Sequence, residues 1–324
     1  MTTGRFAPSP TGRMHLGNVF SALLSWLSSR SQGGRWLLRI EDLDPQRSRQ
    51  AWADLLMADL EWLGLTWDGE PVYQSRRSDI YENYYARVQQ QGLTYPCYCT
   101  RADIMATQAP HESDGRVVYA GTCRPKANGS VPAGFPGQKP KPPGATRLIV
   151  PYRDITFTDG HYGPQTVNLA THVGDFIIRR KDGAWAYQLA VVIDDALMGI
   201  TEVVRGRDLL LSSPQQIYVA GLLGLPSPRF VHLPLLCNAD GQRLSKRDRS
   251  LDMEQLRRHY TANELTGLLA HLAGLLPRPE PVTPTDLISL FDWEKVPLTD
   301  IEVRNNTTDY TDYTDYTDYT DYTD

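Results

Sequence analysis

GRFAPSPTGRMHLGNVF stands at residues 4–20. The short segment at its start ends at Pro8 and Pro10, because proline stops both helices and β-ladders. A helical pattern begins near Gly17, where apolar residues recur at intervals of three and four: Val19, Phe20, Leu23, Leu24 and Leu27. Prolines and glycines hold an open turn, and a helix N-terminus points backbone amides at an anion. The stretch predicts phosphate binding at a helix start, although a ligand-free strand, turn and helix would also fit.

Strands and helices alternate after this stretch. Residues 35–40 have the alternating pattern of a strand, and residues 48–63 and 78–91 have helical patterns. Residues 176–204 look like further strands, with a tight hairpin turn at Asp182-Gly183. This order predicts an α/β fold built on a parallel sheet.

The composition is that of an ordinary globular chain: 324 residues, 41% of them hydrophobic and 22% charged. No window approaches the roughly 20 apolar residues that a membrane span needs, and the N-terminus lacks the pattern of a secretory leader. We therefore expect a cytoplasmic protein with no membrane partner. The formal net charge of −5 includes six aspartates in the last 16 residues. The remainder is near neutral at +1, which argues neither for nor against a nucleic-acid partner.

Two further runs carry functional groups. Glu41 and Asp42 follow the predicted strand 35–40, and a carboxylate at the end of a parallel strand stands where open α/β sheets bind ligands. Residues 241–247, GQRLSKR, form a loop with three cations and a hydroxyl, which suits a clamp on a polyphosphate. Each run also has an ordinary interpretation, as turn chemistry after a strand and as a solvated basic loop.

In combination these runs resemble the signatures of the class I aminoacyl-tRNA synthetases. Residues 15–18, HLGN, are similar to the first signature, and residues 243–247, RLSKR, are similar to the second. Residues 5–12, taken with residues 39–42, resemble the glutamate-specific branch. Unrelated chains rarely hold all these runs in this order, so the resemblance is specific.

Two positions depart from these signatures. Asn18 stands where the first signature has its second histidine, and it can still hydrogen-bond to a nucleotide. Arg243 stands where the second signature has its first lysine. It keeps the charge, although arginine and lysine differ as phosphate ligands. Lys246 preserves the second lysine, and the family's ATP contact carries over to it.

The resemblance implies a Rossmann-like catalytic domain with a parallel sheet over residues 1–247. A zinc-binding module would be inserted at about residues 96–124. Helical patterns after the second signature predict a small helical region over residues 248–303. The repeat of Thr-Asp-Tyr units in residues 304–324 matches neither a strand nor a helix, and we expect a disordered low-complexity tail.

A glutamate pocket beside an ATP site is also implied. Guanidinium groups would hold the substrate carboxylates, and an acidic side chain would hold the ammonium. The corresponding glutamate-binding residues are Arg5, Phe6, Ala7, Pro8, Ser9, Glu41, Tyr187 and Arg205. The corresponding ATP-binding residues are His15, Gly17, Asn18, Arg243, Ser245 and Lys246, with His15 and Lys246 catalytic. The glutamate α-carboxylate would attack the α-phosphorus of ATP, with Mg²⁺ present, and displace pyrophosphate without a protein nucleophile.

Four residues in or directly after the predicted strand region keep open interpretations. Tyr187 would also fit as an aromatic on a strand face, and Arg205 as a surface charge. Asp194 and Asp195 stand at a predicted strand end, where an aspartate either contacts a ligand or caps a turn.

Three cysteines lie close together in the sequence. Cys97 and Cys99 are followed by Cys123, and thiolates suit a tetrahedral zinc site with a fourth ligand. His111 is the generic candidate for that ligand, whereas the resemblance favours Tyr119 and one structural zinc per chain. Three reduced thiols without a metal are the alternative.

Length and the cysteine spacing favour one branch of the family, the glutamyl-queuosine tRNA(Asp) synthetases. About 75 residues follow Arg247, which leaves no room for the large helical anticodon-binding region of the glutamyl-tRNA synthetases. The resemblance then implies a monomer that activates L-glutamate without tRNA and transfers it to queuosine in tRNA(Asp). The alternatives are a truncated glutamyl-tRNA synthetase that charges tRNA 3′ ends, a non-catalytic binding module, and a generic nucleotidyltransferase.

Overall fold

The computed structural model describes residues 1–106, 118–126, 143–244 and 251–303. The predicted tail lies outside these ranges, and so does the candidate zinc ligand His111. No helix in the part of the chain so described is long and apolar enough to cross a bilayer.

Helices and strands alternate through most of the described chain. The helices are α1 (Leu16–Ser31), α2 (Gln50–Trp62), α3 (Ser78–Gln90), α4 (Arg101–Ala106), α5 (Leu169–His172), α6 (Tyr187–Leu197), α7 (Ser212–Leu223), α8 (Met253–His259), α9 (Ala262–Leu272) and α10 (Pro284–Leu287). The strands are β1 (Thr3–Phe6), β2 (Arg35–Ile40), β3 (Val72–Tyr73), β4 (Thr94–Cys97), β5 (Ala145–Leu148), β6 (Asp154–Asp159), β7 (Gly163–Asn168), β8 (Phe176–Arg179), β9 (Glu202–Gly206), β10 (Arg229–Leu233), β11 (Leu236–Cys237) and β12 (Ile301–Glu302).

Parallel pairing organises the strands that surround the N-terminal stretch. β2 pairs in parallel with both β1 and β3. β9 pairs in parallel with β10 and lies along the other edge of β1, where the Thr201 amide donates to the Thr3 carbonyl at 2.9 Å. The carboxyl ends of β1, β2, β9 and β10 therefore face the same region. This arrangement confirms the predicted α/β fold with a parallel sheet.

The region predicted as continuous strands contains a helix. Only residues 176–179 and 202–206 are strands, and α6 lies between them. The turn at Asp182-Gly183 is confirmed, because the Arg180 amide donates to the Ala184 carbonyl at 2.9 Å. Seven consecutive residues of α6, from Leu189 to Asp195, are buried. A helix covered on every side has no polar face, so its apolar run imitated a buried strand.

The C-terminal part of the described chain is helical, as the sequence predicts. Leu265 and Leu268 of α9 belong to the same apolar core as Leu23 and Leu27 of α1. The chain then returns to the parallel strands, and β12 pairs with β11. The helical part consequently packs against the core built on the parallel strands and does not stand apart from it.

Candidate functional site

A cleft of about 460 Å³ opens where the carboxyl ends of the parallel strands meet the N-terminus of α1. It is lined by every described residue of the predicted glutamate and ATP sites: Arg5, Phe6, Ala7, Pro8, Ser9, His15, Gly17, Asn18, Glu41, Tyr187, Arg205 and Arg243. Ser245 and Lys246 lie outside the described residues. The structure thus brings together residues from both halves of the described sequence.

The N-terminus of α1 is held by reciprocal caps. Nδ1 of His15 accepts the Gly17 amide at 3.2 Å, and Oδ1 of Asn18 accepts the His15 amide at 3.1 Å. An Nδ1 that accepts a hydrogen bond leaves the proton of neutral His15 on Nε2. The first turn of α1 carries no acidic side chain, so no carboxylate of the helix itself offsets the positive end of the helix dipole at the cleft.

Arg205 is a buried guanidinium whose described hydrogen-bond acceptors are all uncharged. The three shorter contacts, at 2.7, 2.9 and 3.1 Å, go to Ser213, Gln216 and His232. The two longer contacts, both 3.4 Å, run from Nη1 to the Tyr187 hydroxyl and from Nη2 to the Leu209 carbonyl. Burial lowers the pKa of Arg205, and the positive charge of Arg5 adds to this effect. An anion in the cleft would offset both the desolvation of Arg205 and the repulsion from Arg5.

Arg5 also lines the cleft, and its guanidinium is held by the carboxylate of Asp195. Its Nε lies 3.5 Å from Oδ1 of Asp195, and its Nη1 donates to the Val204 carbonyl at 3.3 Å. Asp195 also accepts from Arg39 at 2.6 Å. The sequence left Asp195 unassigned, and the structure makes it the shared partner of two arginines.

Glu41 is positioned by the same network. It follows β2 directly, and its Oε1 accepts from Nη2 of Arg39 at 3.1 Å. Burial raises the pKa of Glu41, while the charges of Arg39 and Arg5 oppose the rise. Burial alone would lower the pKa of Arg39, but the carboxylates of Asp195 and Glu41 outweigh it and raise that pKa.

Asp194, the other unassigned aspartate, anchors structure away from the cleft. It accepts from Arg77 at 2.7 Å and from both Gln74 and Tyr81 at 2.8 Å. It is not among the described residues that line the cleft. Asp194 therefore fixes α6 against the segment before α3, and it does not cap a turn.

Tyr187 is the first residue of α6, so its interpretation as an aromatic on a strand face is wrong. Its hydroxyl meets Arg205 inside the cleft, and burial raises the pKa of that hydroxyl. Arg205 is itself buried, so its interpretation as a surface charge is wrong as well.

Arg243 borders the cleft from the loop that follows β11. It forms an ion pair with Asp208, which also lines the cleft, and it bridges to Cys237 in the strand before it. The pair holds the start of the second signature run against the carboxyl end of β9. About half of the Arg243 side chain is exposed, so a polyphosphate entering the cleft has access to it.

The three cysteines of the predicted zinc module converge with a tyrosine. The Sγ atoms of Cys97, Cys99 and Cys123 lie within 4.8 Å of one another, with Cys99 and Cys123 3.5 Å apart. The Tyr119 hydroxyl lies 3.4 Å from Cys97 and 3.8 Å from Cys99. A tetrahedral zinc with Zn–S bonds of about 2.3 Å spaces its ligand atoms about 3.5–3.8 Å apart. The three thiols, with the Tyr119 hydroxyl beside them, could therefore hold a zinc ion.

Arg147 supports the cysteine cluster electrostatically. Its guanidinium lies over the Tyr119 ring, 3.6 Å from the centroid. Burial alone would raise the pKa of Cys97, but its hydrogen bonds with Tyr119 and Arg147 outweigh it and lower that pKa. Burial and the hydrogen bond with Cys123 raise the pKa of Cys99 to about 12, so zinc, which binds the thiolate form, would have to displace that proton.

Comparison with known proteins agrees with this site. Residues 1–277 match the family described as tRNA synthetases class I (E and Q), catalytic domain. The chain is 45% identical over 304 residues to the glutamyl-Q tRNA(Asp) synthetase of Neisseria meningitidis, covering 92% of this chain and 98% of that protein. It is 45% identical over 328 residues to the enzyme of the same name from Symbiobacterium thermophilum, covering 95% and 97%.

Solved structures give the same grouping. The glutamate-tRNA synthetase of Elizabethkingia anophelis superposes with a TM-score of 0.77 at 28% identity, covering 95% of this chain and 69% of that chain. The glutamate tRNA ligase of Elizabethkingia meningosepticum, solved in complex with its amino acid, has a TM-score of 0.75 at 29% identity, covering 93% and 66%. The chain is therefore an enzyme of the ligase class and belongs to the class I tRNA synthetases of the E and Q group, within the family of the glutamyl-Q tRNA(Asp) synthetases.

Proposed function

We propose that this enzyme activates L-glutamate with ATP in the absence of tRNA and transfers it to the queuosine base in the anticodon of tRNA(Asp). The observation that carries the proposal is the buried guanidinium of Arg205, which faces the cleft with uncharged partners. Among the described residues no carboxylate bonds directly to this cation, and a buried cation is stabilised by a directly paired carboxylate, so the pocket favours a ligand that brings one. The names of the relatives support glutamate as that ligand and tRNA(Asp) as the acceptor.

Two arginines bind the carboxylates of the substrate, and one glutamate binds its ammonium group. The long contacts of Arg205 involve one N–H on each terminal nitrogen, and a carboxylate can take both in a bidentate pair. Arg5 holds carboxylate beside it, and the Tyr187 hydroxyl donates to the same ligand. Glu41 accepts the substrate ammonium.

ATP binds between the N-terminus of α1 and the second signature loop. His15 offers Nε2–H, and Asn18 offers its amide N–H groups because its oxygen already caps the helix. The positive end of the α1 dipole faces the phosphates. Arg243, Ser245 and Lys246 close on the triphosphate from the other side, and Mg²⁺ accompanies ATP as part of the substrate.

The reaction requires that the protein position glutamate and ATP, and it requires no covalent bond to the protein. The glutamate α-carboxylate attacks the α-phosphorus of ATP in line, an acyl–phosphate bond forms, and pyrophosphate leaves. A hydroxyl of the queuosine cyclopentene-diol then attacks the acyl carbonyl, and AMP leaves as the ester forms. Lys246 and the helix N-terminus stabilise the charge that moves onto pyrophosphate.

The cysteine cluster completes the assignment. Cys97, Cys99, Tyr119 and Cys123 hold one structural zinc, which would cross-link the end of β4 to the segment around Tyr119. Tyrosine is a weaker zinc ligand than cysteine, so this zinc is held less tightly than in an all-cysteine site. We further propose a monomeric enzyme that acts in the cytoplasm, where its tRNA substrate is found.

Two assays test the proposal. Glutamate-dependent exchange between ATP and labelled pyrophosphate is measured first, without tRNA. Labelled glutamate is then offered to tRNA(Asp) with and without queuosine. We expect exchange without tRNA and transfer only to the queuosine-containing tRNA. Labelling of the 3′ end of tRNA(Glu) would favour a truncated glutamyl-tRNA synthetase, and a lack of any exchange would favour a non-catalytic binding module.

A further inference from the structure

Behind Arg205, on the side away from the cleft, lies a buried chain of polar groups. Arg205 of β9 is the register partner of His232 in β10, and its Nε donates to Nε2 of His232 at 3.1 Å. Nδ1 of His232 lies 2.6 Å from Oδ2 of Asp159, at the end of β6. His232 is fully buried and Asp159 nearly so. Neither is among the described residues that line the cleft.

The hydrogen atoms in this chain have only one consistent arrangement. An ionised Asp159 can only accept, so Nδ1 of His232 carries the proton. Nε2 then presents a lone pair, which the Nε–H of Arg205 requires because that group can only donate. Burial lowers the pKa of His232, which keeps the ring neutral and avoids a second cation beside Arg205.

Asp159 is itself held rigidly. Its Oδ1 accepts the backbone amides of His161, Tyr162 and His232 at 3.0, 2.9 and 3.2 Å. The hairpin of β6 and β7 is anchored to β10 at the same point, because the Gly160 amide donates to the Phe230 carbonyl at 2.8 Å. The carboxylate thus has a fixed place and a fixed orientation.

We propose that Asp159 and His232 are positioning residues for substrate recognition, which orient Arg205 so that the two N–H groups with 3.4 Å contacts meet the glutamate carboxylate. The inference rests on the proposed function, since it gives Arg205 the role of carboxylate receptor. Asp159 also supplies a negative charge one side chain away from Arg205, where it steadies the guanidinium without occupying the face that the substrate needs.

The variant Asp159→Asn tests this arrangement with little change of shape. Asparagine can keep the three backbone contacts through its oxygen, but its amide then donates to Nδ1 of His232. The proton of His232 moves to Nε2, and two donors face each other at Arg205. We expect the KM for L-glutamate in tRNA-free pyrophosphate exchange to rise at least about tenfold, with a smaller change in kcat and in the KM for ATP.

Three companion variants separate positioning from a merely structural role. Asp154→Asn makes the same change at the exposed other end of β6 and should leave every parameter unchanged. His232→Gln keeps a side-chain acceptor for Arg205, so its KM for glutamate should lie between those of the wild type and His232→Leu. If His232→Leu fails to fold, Asp159→Asn and His232→Gln still decide the question.

The outcomes are distinct. An unchanged KM for glutamate in Asp159→Asn would overturn the inference and leave the proposed function standing. Equal rises in the KM for glutamate and for ATP, accompanied by a lower melting temperature, would reduce the chain of contacts to a structural role and would also overturn the inference. A wild-type enzyme without glutamate-dependent exchange would overturn the proposed function, and the inference would fall with it.

Discussion

Nη1 of Arg39 donates to Oδ1 of Asp195 at 2.6 Å, although the two residues are 156 positions apart in the sequence. The same oxygen lies 3.5 Å from Arg5, and the other arm of Arg39 reaches Glu41. The buried Arg39–Asp195 pair therefore contacts both Arg5 and Glu41, the cation and the acid that are proposed to bind glutamate. The pocket depends on groups that do not need to touch the substrate.

Breaking this pair should destabilise the fold strongly. Asp195→Asn removes the carboxylate shared by two buried guanidiniums, and an uncompensated buried charge typically costs about 3–5 kcal/mol. We expect a loss of that order in the free energy of unfolding, measured by urea denaturation. Arg258→Gln, which removes an exposed pair with Glu254, is the matched control and should cost less than about 1 kcal/mol. Comparable losses in the two variants would contradict the prediction.

Loss of Lys246, which occupies the second lysine position of the second signature, should slow glutamate activation without affecting folding. Lys246→Ala removes a charge-assisted contact to the triphosphate, worth about 1.5–3 kcal/mol, so pyrophosphate exchange should fall at least about tenfold. The melting temperature should stay that of the wild type. Lys181→Ala, at an exposed lysine beside the Asp182-Gly183 turn, should leave exchange unchanged. Exchange at the wild-type rate in Lys246→Ala would remove this lysine from the ATP site.

Glutamate binding should weaken in acid at an unusually high pH. The substrate ammonium requires ionised Glu41, and burial raises the pKa of that carboxyl above its ordinary value. The KM for glutamate should therefore begin to rise, as pH falls, before the substrate's own side-chain carboxyl titrates near about 4.3. In Glu41→Gln the KM for glutamate should be high at every pH, and its further rise in acid should begin only where the substrate carboxyl titrates. If the KM of both proteins rises over the same pH range, Glu41 does not cause the rise.

Zinc content should follow the cysteine cluster. Cys97→Ser or Cys123→Ser removes a thiolate ligand, and we expect the purified variant to lose most of its metal and to melt at a lower temperature. Cys237→Ser lies outside the cluster and should keep the metal content of the wild type. Tyr119→Phe should keep more metal than the cysteine variants, because three thiolates remain. Wild-type protein without zinc, prepared in zinc-supplemented medium, would refute the assignment.

Local sequence patterns predicted the parts of the fold that depend on local chemistry. The strand at residues 35–40, the helical patterns at residues 48–63 and 78–91 and the grouping of the three cysteines follow from short-range spacing, whereas Tyr119 is favoured by the family resemblance. α6 was missed because burial on every side hides its helical period. A 3.6-residue repeat is visible only when one face of a helix remains polar.

The contacts that hold the pocket side chains in place could not be predicted in the same way. Arg39 and Asp195 are 156 residues apart, and His232 and Asp159 are 73 apart, so no local spacing connects them. Each looks like a common strand or turn residue until the parallel sheet brings its partner alongside. Arg39 follows the apolar run Trp36–Leu38 and precedes Ile40 within β2, and a charged residue among apolar strand residues is the one signal that points to a buried ion pair.

A crystal structure with a non-hydrolysable glutamyl-adenylate analogue tests the central claim most directly. We predict that the side-chain carboxylate of the analogue lies within hydrogen-bonding distance of Arg205, its ammonium lies against Glu41, and its nucleotide rests on the N-terminus of α1 between His15 and Asn18. An analogue bound with its glutamyl group away from Arg205, or bound outside this cleft, would contradict the account.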